Sequence, residues 1–359
     1  MTAMTRRTIL KGGVALAAMP ALTGLAMAQE KLKVGFAYLA VPGDYGWTYA
    51  HDVGANELAA ALGDRVEITK VENVGESGPN VERVLRELAQ QGNKLIFATT
   101  FGHMEACVKV SAEFPDVIFE HCTGYMTGPN MGTYNARFYE GRAVIGTIAG
   151  HMSKAGMGGY LASFPIPEVV MGIDAFCIAA RKVNPNFQLK VIWLNTWFDP
   201  AKEADAARTL IAQGCDVITQ HTDSPAPIQV CEEAGVICFG QASDMASFGP
   251  KMCLTSIVDS WGPHYIAATQ KVLDGTWKPE QPWEGLKEGV VTLPPYNATV
   301  PADVVAAADA VKQGQIDGTL HIFTGPIMAN DGSVLVEDGV TPEDGFLLSL
   351  QKYSEGVQA

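Results

Sequence analysis

KLKVGFAYLAVPGDYGWTYAHDVGANELAAALG (residues 31–63) sets a short apolar run against a helix-like pattern, joined by a Gly-rich turn that holds a large aromatic, Trp47. The first part, KLKVGFAY, is β-rich, and the second spaces its apolar residues as a helix does. The alternation continues beyond it. RVEITKV, KLIFATT and DVIFEHC are further strand-like runs, and PNVERVLRELAQQG and HMEACVKVSAEF are the helical patterns between them. Strands separated by helices of this length predict successive βαβ units on a parallel sheet.

After NARFYEGRAVIGTIAGHMSKAG the pattern repeats. GGYLASF, QLKVIWLN, CDVITQH and VICFG alternate with helix patterns such as PEVVMGIDAFCIAARKVN and PAKEADAARTLIAQG. Two similar halves without a low-complexity linker predict an α/β protein of two lobes, each a parallel sheet flanked by helices, joined by more than one crossing. HYIAATQKVLDG is expected to return to the first lobe.

The 359 residues give ample material for two such cores. The N-terminus reads differently. TRRTILKGG, the apolar VALAAMPALTGLAMA and the small residues of Ala26-Met27-Ala28 have the order of a twin-arginine export signal cut after Ala28. Removing Arg6, Arg7 and Lys11, three cations, takes the formal charge from −14 to −17. So acidic a chain argues against nucleic acid or an anionic membrane as partner. The seven cysteines show no CxxC and no metal-ligand spacing, and read as buried thiols in preference to a pair such as Cys215 with Cys238.

In open α/β sheets ligands bind beyond the carboxyl ends of the strands. GDYGW, TTFGH, NTWFDP, HTDSP, GQASDM and TSIVDSWG all stand there, two of them carrying Trp and most carrying Asp, Thr, Ser or Asn. That composition suits a cleft walled by aromatics and carboxylates. Phosphate loops, GxSxG, HExxH and the PCxxC partner a zinc deaminase needs beside His103-Met104-Glu105 are missing, so neither an enzyme nor a cofactor or metal is expected.

Several blocks resemble one family. GDYGWT, ATTFGHMEACVKVSAEFPDVIF, the long run NARFYEG through AARKVNP, WLNTWFDPAKEADAARTLIAQGCDVI, GQASDM, LTSIVDSW and FTGPI, from about residue 31 to about 330, are similar to the basic membrane protein (BMP) family of solute-binding proteins that serve ABC transporters. The resemblance implies a type I periplasmic-binding fold. Its lobes would be residues 29–138 with about 258–287, and 139–257 with about 288–330, followed by a tail at 331–359. It also implies a periplasmic monomer, a purine-type ligand, and permease subunits in the inner membrane. By motif position the two aromatic plates of the family's purine site would be Trp47 and Trp197.

The chain departs from the family where the ribose is held. Gly240-Gln241-Ala242-Ser243-Asp244-Met245 keeps only the second of two acids, Asp259 stands where a Lys is usual, and Tyr38-Leu39-Ala40 replaces Asp-Gly-Gly. A carboxylate only accepts hydrogen bonds, so it demands N–H groups of a ligand. A free base offers one more ring N–H than its nucleoside. The expected ligand is therefore a free purine, adenine-like, with Asp244 and Asp259 as acceptors and Thr48, Phe101, Gly102, Asn195 and Asp44 completing the pocket. A nucleoside binder and a periplasmic ligand sensor are the alternatives. Asp259 has a second reading as a helix-start acid.

Overall fold

The computed structural model describes residues 30–359; the expected leader and its cut after Ala28 lie outside the described residues. The first half runs β1 (Leu32–Ala37), α1 (Gly46–Leu62), β2 (Val66–Val71), α2 (Pro79–Gln90), β3 (Leu95–Ala98), α3 (Met104–Glu113), β4 (Ile118–Cys122) and β5 (Met131–Ala136). α2 shows why these segments fold as they do. Pro79 opens it at a position that needs no N–H donor, and Val81, Val84, Leu85, Leu88 and Ala89 recur at helical spacing to form its buried face. β3 is buried along its whole length, as a central parallel strand must be.

The second half runs α4 (Phe138–Met152), β6 (Met157–Ala162), α5 (Pro167–Val183), β7 (Gln188–Trp193), α6 (Pro200–Ala212), β8 (Val217–Gln220), α7 (Ala226–Ala234), β9 (Ile237–Ala242) and β10 (Cys253–Asp259). α8 (Gly262–Leu273) then packs against α1, and β11 (Trp283–Glu284) pairs with β5. β12 (Val291–Thr292) and α9 (Ala302–Ile316) follow, then the hairpin β13 (Ile327–Met328) and β14 (Val334–Val336), the short α10 (Asp344–Leu347) and β15 (Val357–Gln358).

Two sheets result, ordered β11-β5-β4-β3-β1-β2 and β12-β10-β9-β8-β6-β7-β15. Every pairing in them is parallel except β10 with β12. The chain passes between them three times, at β5 to α4, β10 to α8, and β11 to β12. One apolar core runs through both, from Phe36, Phe97 and Tyr134 by way of Phe138 and Trp261 to Tyr160 and Phe239. The last residues are woven in: β15 extends the second sheet, and the buried carboxylate of Asp174 on α5 accepts the Ser354 N–H at 2.7 Å.

Strand β5 had no counterpart among the strand-like runs. Its sequence, MGTYNA, lacks an apolar run, and its place comes from tertiary context: Gly132 lets the Glu280 carbonyl approach so closely that a Cβ would stand 3.1 Å from it. All seven cysteines are free and buried, so no Cys215–Cys238 pair forms.

Candidate functional site

The strand order reverses between β1 and β3 in one sheet and between β6 and β8 in the other, and such switch points open crevices at the strands' carboxyl ends. The residues just past those four strands meet. Leu39, Thr100 and Phe101 from the first lobe, and Ile166, Glu168, His221 and Asp223 from the second, line one cavity. Trp47, Thr123, Trp197 and Gln241 complete its wall. Its volume is about 30 Å³, room for one or two water molecules, so a bound ring would hold the lobes further apart than they stand here.

Each Trp is held differently. Trp47 donates its indole N–H to the Thr99 carbonyl at 2.6 Å and packs edge-on against His51, Phe138 and Trp261. It sits in the first turn of α1, which begins at Gly46 without a side-chain cap. Gly46 has φ of +78°, and a Cβ there would lie 2.9 Å from the Asp223 carbonyl oxygen of the other lobe. The glycine thus permits both the turn and the close approach. Trp197 lies in the loop before α6, beside Phe164 and His221. Its loop is fixed by Asn195 at φ +53° and by Asp199, which caps α6 through the Lys202 N–H at 3.1 Å.

The polar wall is acidic. Glu168 stands in the first turn of α5, a favourable place for an acid, yet burial outweighs this and raises its carboxyl to about 7, with Arg142 opposing. Burial, then the neighbouring Glu203, push Asp223 well above the usual carboxylate range. Asp259 lies behind this wall, 3 % exposed, with neither oxygen hydrogen-bonded within the protein. Burial first, then repulsion from Asp223 and Glu168, raise it strongly, and Arg142 counteracts. Arg142, fully buried, donates to the Thr219 hydroxyl at 3.1 Å and to the Gln241 side-chain oxygen, holding that amide at the cavity. His221 is kept neutral by burial and lies 3.8 Å from Glu168.

Of the expected residues, the structure brings Trp47, Trp197 and Phe101 to this cavity, with Asp259 close behind. Five others are elsewhere. Asp244 is exposed and accepts the Ala246 N–H at 3.0 Å, an Asx turn that occupies its carboxylate locally. Asp44 is exposed in the β1–α1 loop, and Asn195 is exposed in the turn it shapes. Gly102 faces Glu76, whose carboxylate accepts its N–H at 2.8 Å. Thr48 lines a neighbouring cavity that shares Leu39, Trp47 and Asp223 with the first. Asp259 is the last residue of β10, and α8 has no acid in its first turn, so the helix-start reading does not hold. Glu168, Asp223 and Gln241 were not anticipated; the switch-point rule, applied to the loops after β6 and β8, would have singled out the first two.

Two α/β lobes closed on a small aromatic and acidic cavity define a solute-binding protein. The chain belongs to the Bmp family, described as ABC transporter substrate-binding protein PnrA-like, whose model matches residues 31–324. A purine-binding protein of Brucella abortus (strain 2308) is 54% identical over 336 residues, 94% of this chain and 95% of that one. A Haloferax volcanii protein that carries the provisional name of an ABC transporter glucose-binding protein is 36% identical over 330 residues, 92% of this chain and 81% of the relative. Among solved structures, a solute-binding protein of an ABC transporter system from Aeropyrum pernix K1 has a TM-score of 0.70 at 18% identity, covering 87% of this chain and 94% of that one, a likeness of fold. The protein is thus the ligand-capturing component of an ABC transporter and not an enzyme, with a small molecule and membrane permease subunits as its partners.

Proposed function

We propose that this protein captures a free purine base, adenine-like, in the periplasm after twin-arginine export and delivers it to its permease. The observation that carries the reading is the pairing of Trp47 and Trp197, from different lobes, on one cavity whose charged lining groups, Glu168 and Asp223, are both carboxyls. Each aromatic face is worth roughly 1–3 kcal/mol of base stacking. Glu168 and Asp223 offer carboxyl oxygens as acceptors for ring and amino N–H groups, Asp259 stands behind them, and Gln241 supplies an amide able to donate and accept. A site near 1 μM needs about 8 kcal/mol, toward which the two plates and the hydrogen bonds to Glu168 and Asp223 contribute. The name of the Brucella relative supports the same ligand class.

Contacts from both lobes give the ligand a higher affinity for the closed form, which is what shifts the lobes toward closure. The test is calorimetric titration of the protein, freed of ligand by unfolding and refolding, with adenine, hypoxanthine, guanine, adenosine, inosine and glucose. A base bound at least tenfold more tightly than its nucleoside supports the reading. Nucleosides bound equally well would sink the argument from the carboxyls, and glucose bound alone would replace the purine with the sugar of the Haloferax name.

A further inference from the structure

A second cavity, of about 300 Å³, adjoins the first. Phe101, Thr123, Ile166 and Glu168 line both, so the second cavity lies directly beside the Trp-walled slot. Tyr125, Met171, Pro282, Trp283 and Leu348 form the rest of its apolar wall. Two of its polar residues are engaged locally: Gln281 donates to the Tyr125 carbonyl at 3.2 Å, and the Asn135 side-chain oxygen accepts the Ala136 N–H at 2.7 Å. Its acidic lining residues are Glu168 and Asp344, with no Lys or Arg.

We propose that this cavity is a subsite for an uncharged, largely apolar substituent on the ring, so that the protein takes N-substituted purines as well as the bare base. The inference rests on the purine reading above. An apolar cavity of about 150 Å³ already accepts a benzene ring, so the available volume suits a benzyl-sized group. Two carboxyls with no Lys or Arg among the lining residues disfavour a phosphate, and a polyol such as ribose finds few partners on a mostly apolar wall. The subsite therefore favours alkyl or aryl substituents over sugar and sugar phosphate.

The experiment is calorimetric titration of the wild-type protein with adenine, N6-benzyladenine, 9-benzyladenine and AMP, repeated on Met171→Trp and Leu348→Trp. At least one benzyl isomer is expected to bind within threefold of adenine or more tightly, with AMP at least tenfold weaker. Filling the cavity with Met171→Trp should weaken that isomer at least tenfold and change adenine less than threefold. Leu348→Trp, at a half-exposed rim position, should act in the same direction should the buried Met171 substitution fail to fold. Adenine bound while both benzyl isomers are more than threefold weaker overturns the subsite alone. No binding of adenine overturns the purine reading and the subsite with it.

Discussion

The Gly46 backbone N–H donates a hydrogen bond of 2.8 Å to the Ser243 hydroxyl, joining the start of α1 in the first lobe to the end of β9 in the second in a buried setting. It ties one lobe to the other, so parting them would break it, and neither residue lines the Trp-walled cavity. Ser243→Ala should therefore weaken ligand binding about fivefold, the equivalent of roughly 1 kcal/mol for a buried hydrogen bond, with little change in the unliganded protein's thermal stability. Equal affinity in titrations of the two proteins would mean that closure does not depend on this contact.

Gly46→Ala carries a larger penalty. The new Cβ meets both a left-handed backbone and the Asp223 carbonyl at 2.9 Å. Affinity should fall tenfold or more, and small-angle scattering should show a more open protein at saturating ligand.

The two tryptophans should separate in their effects. Trp47→Ala and Trp197→Ala are each expected to lower affinity by roughly 1–3 kcal/mol. Trp47 also packs against Phe138 and Trp261 of the through-running core, so its loss should lower Tm by several degrees, while Trp197, whose aromatic neighbours are Phe164 and His221, should lower it less. Thermal melts beside titrations distinguish a plate from a core residue.

Glu168 should make binding pH-dependent. Its carboxyl titrates at about 7, and a ligand N–H donated to it favours the ionised form, so affinity should rise several-fold from pH 6 to 8 and then level. Glu168→Gln should flatten the profile. A wild-type affinity that fell over the same range would assign Glu168 the role of protonated donor instead.

Asp174 makes folding pH-dependent. Burial raises its carboxyl from 3.8 to about 7, so the folded protein holds a proton the unfolded chain has lost. The resulting stabilisation is complete below about pH 4, and disappears as pH rises to 7; it amounts to about 4 kcal/mol at most. Asp174→Asn stays neutral throughout and should narrow the gap between Tm at pH 5 and at pH 8. An unchanged gap would show that Asp174 does not govern it.

The fold was legible where a segment's own pattern decided its fate. The α2 stripe and the apolar β3 needed no tertiary information. β5 did, because MGTYNA becomes a strand only between β4 and β11. At the site, the tryptophans were legible because large aromatics in strand-end loops are conspicuous. The acids were not. Asp244 and Asp223 both follow strands, and only the strand order places Asp223 at the switch point and leaves Asp244 to its own backbone. Glu168 hid as an ordinary first-turn acid, and its chemistry comes from burial, which only the folded structure shows.

The seven buried thiols supply a clock. Cys107 and Cys122 belong to the first lobe, and Cys177, Cys215, Cys231, Cys238 and Cys253 to the second. A thiol reagent reacts with each only while its surroundings are open, so labelling rates report local opening free energies lobe by lobe, in the unaltered protein. Ligand that clamps the lobes together slows every site whose opening requires them apart and leaves the others ticking as before, which maps the mechanical reach of closure without a single substitution.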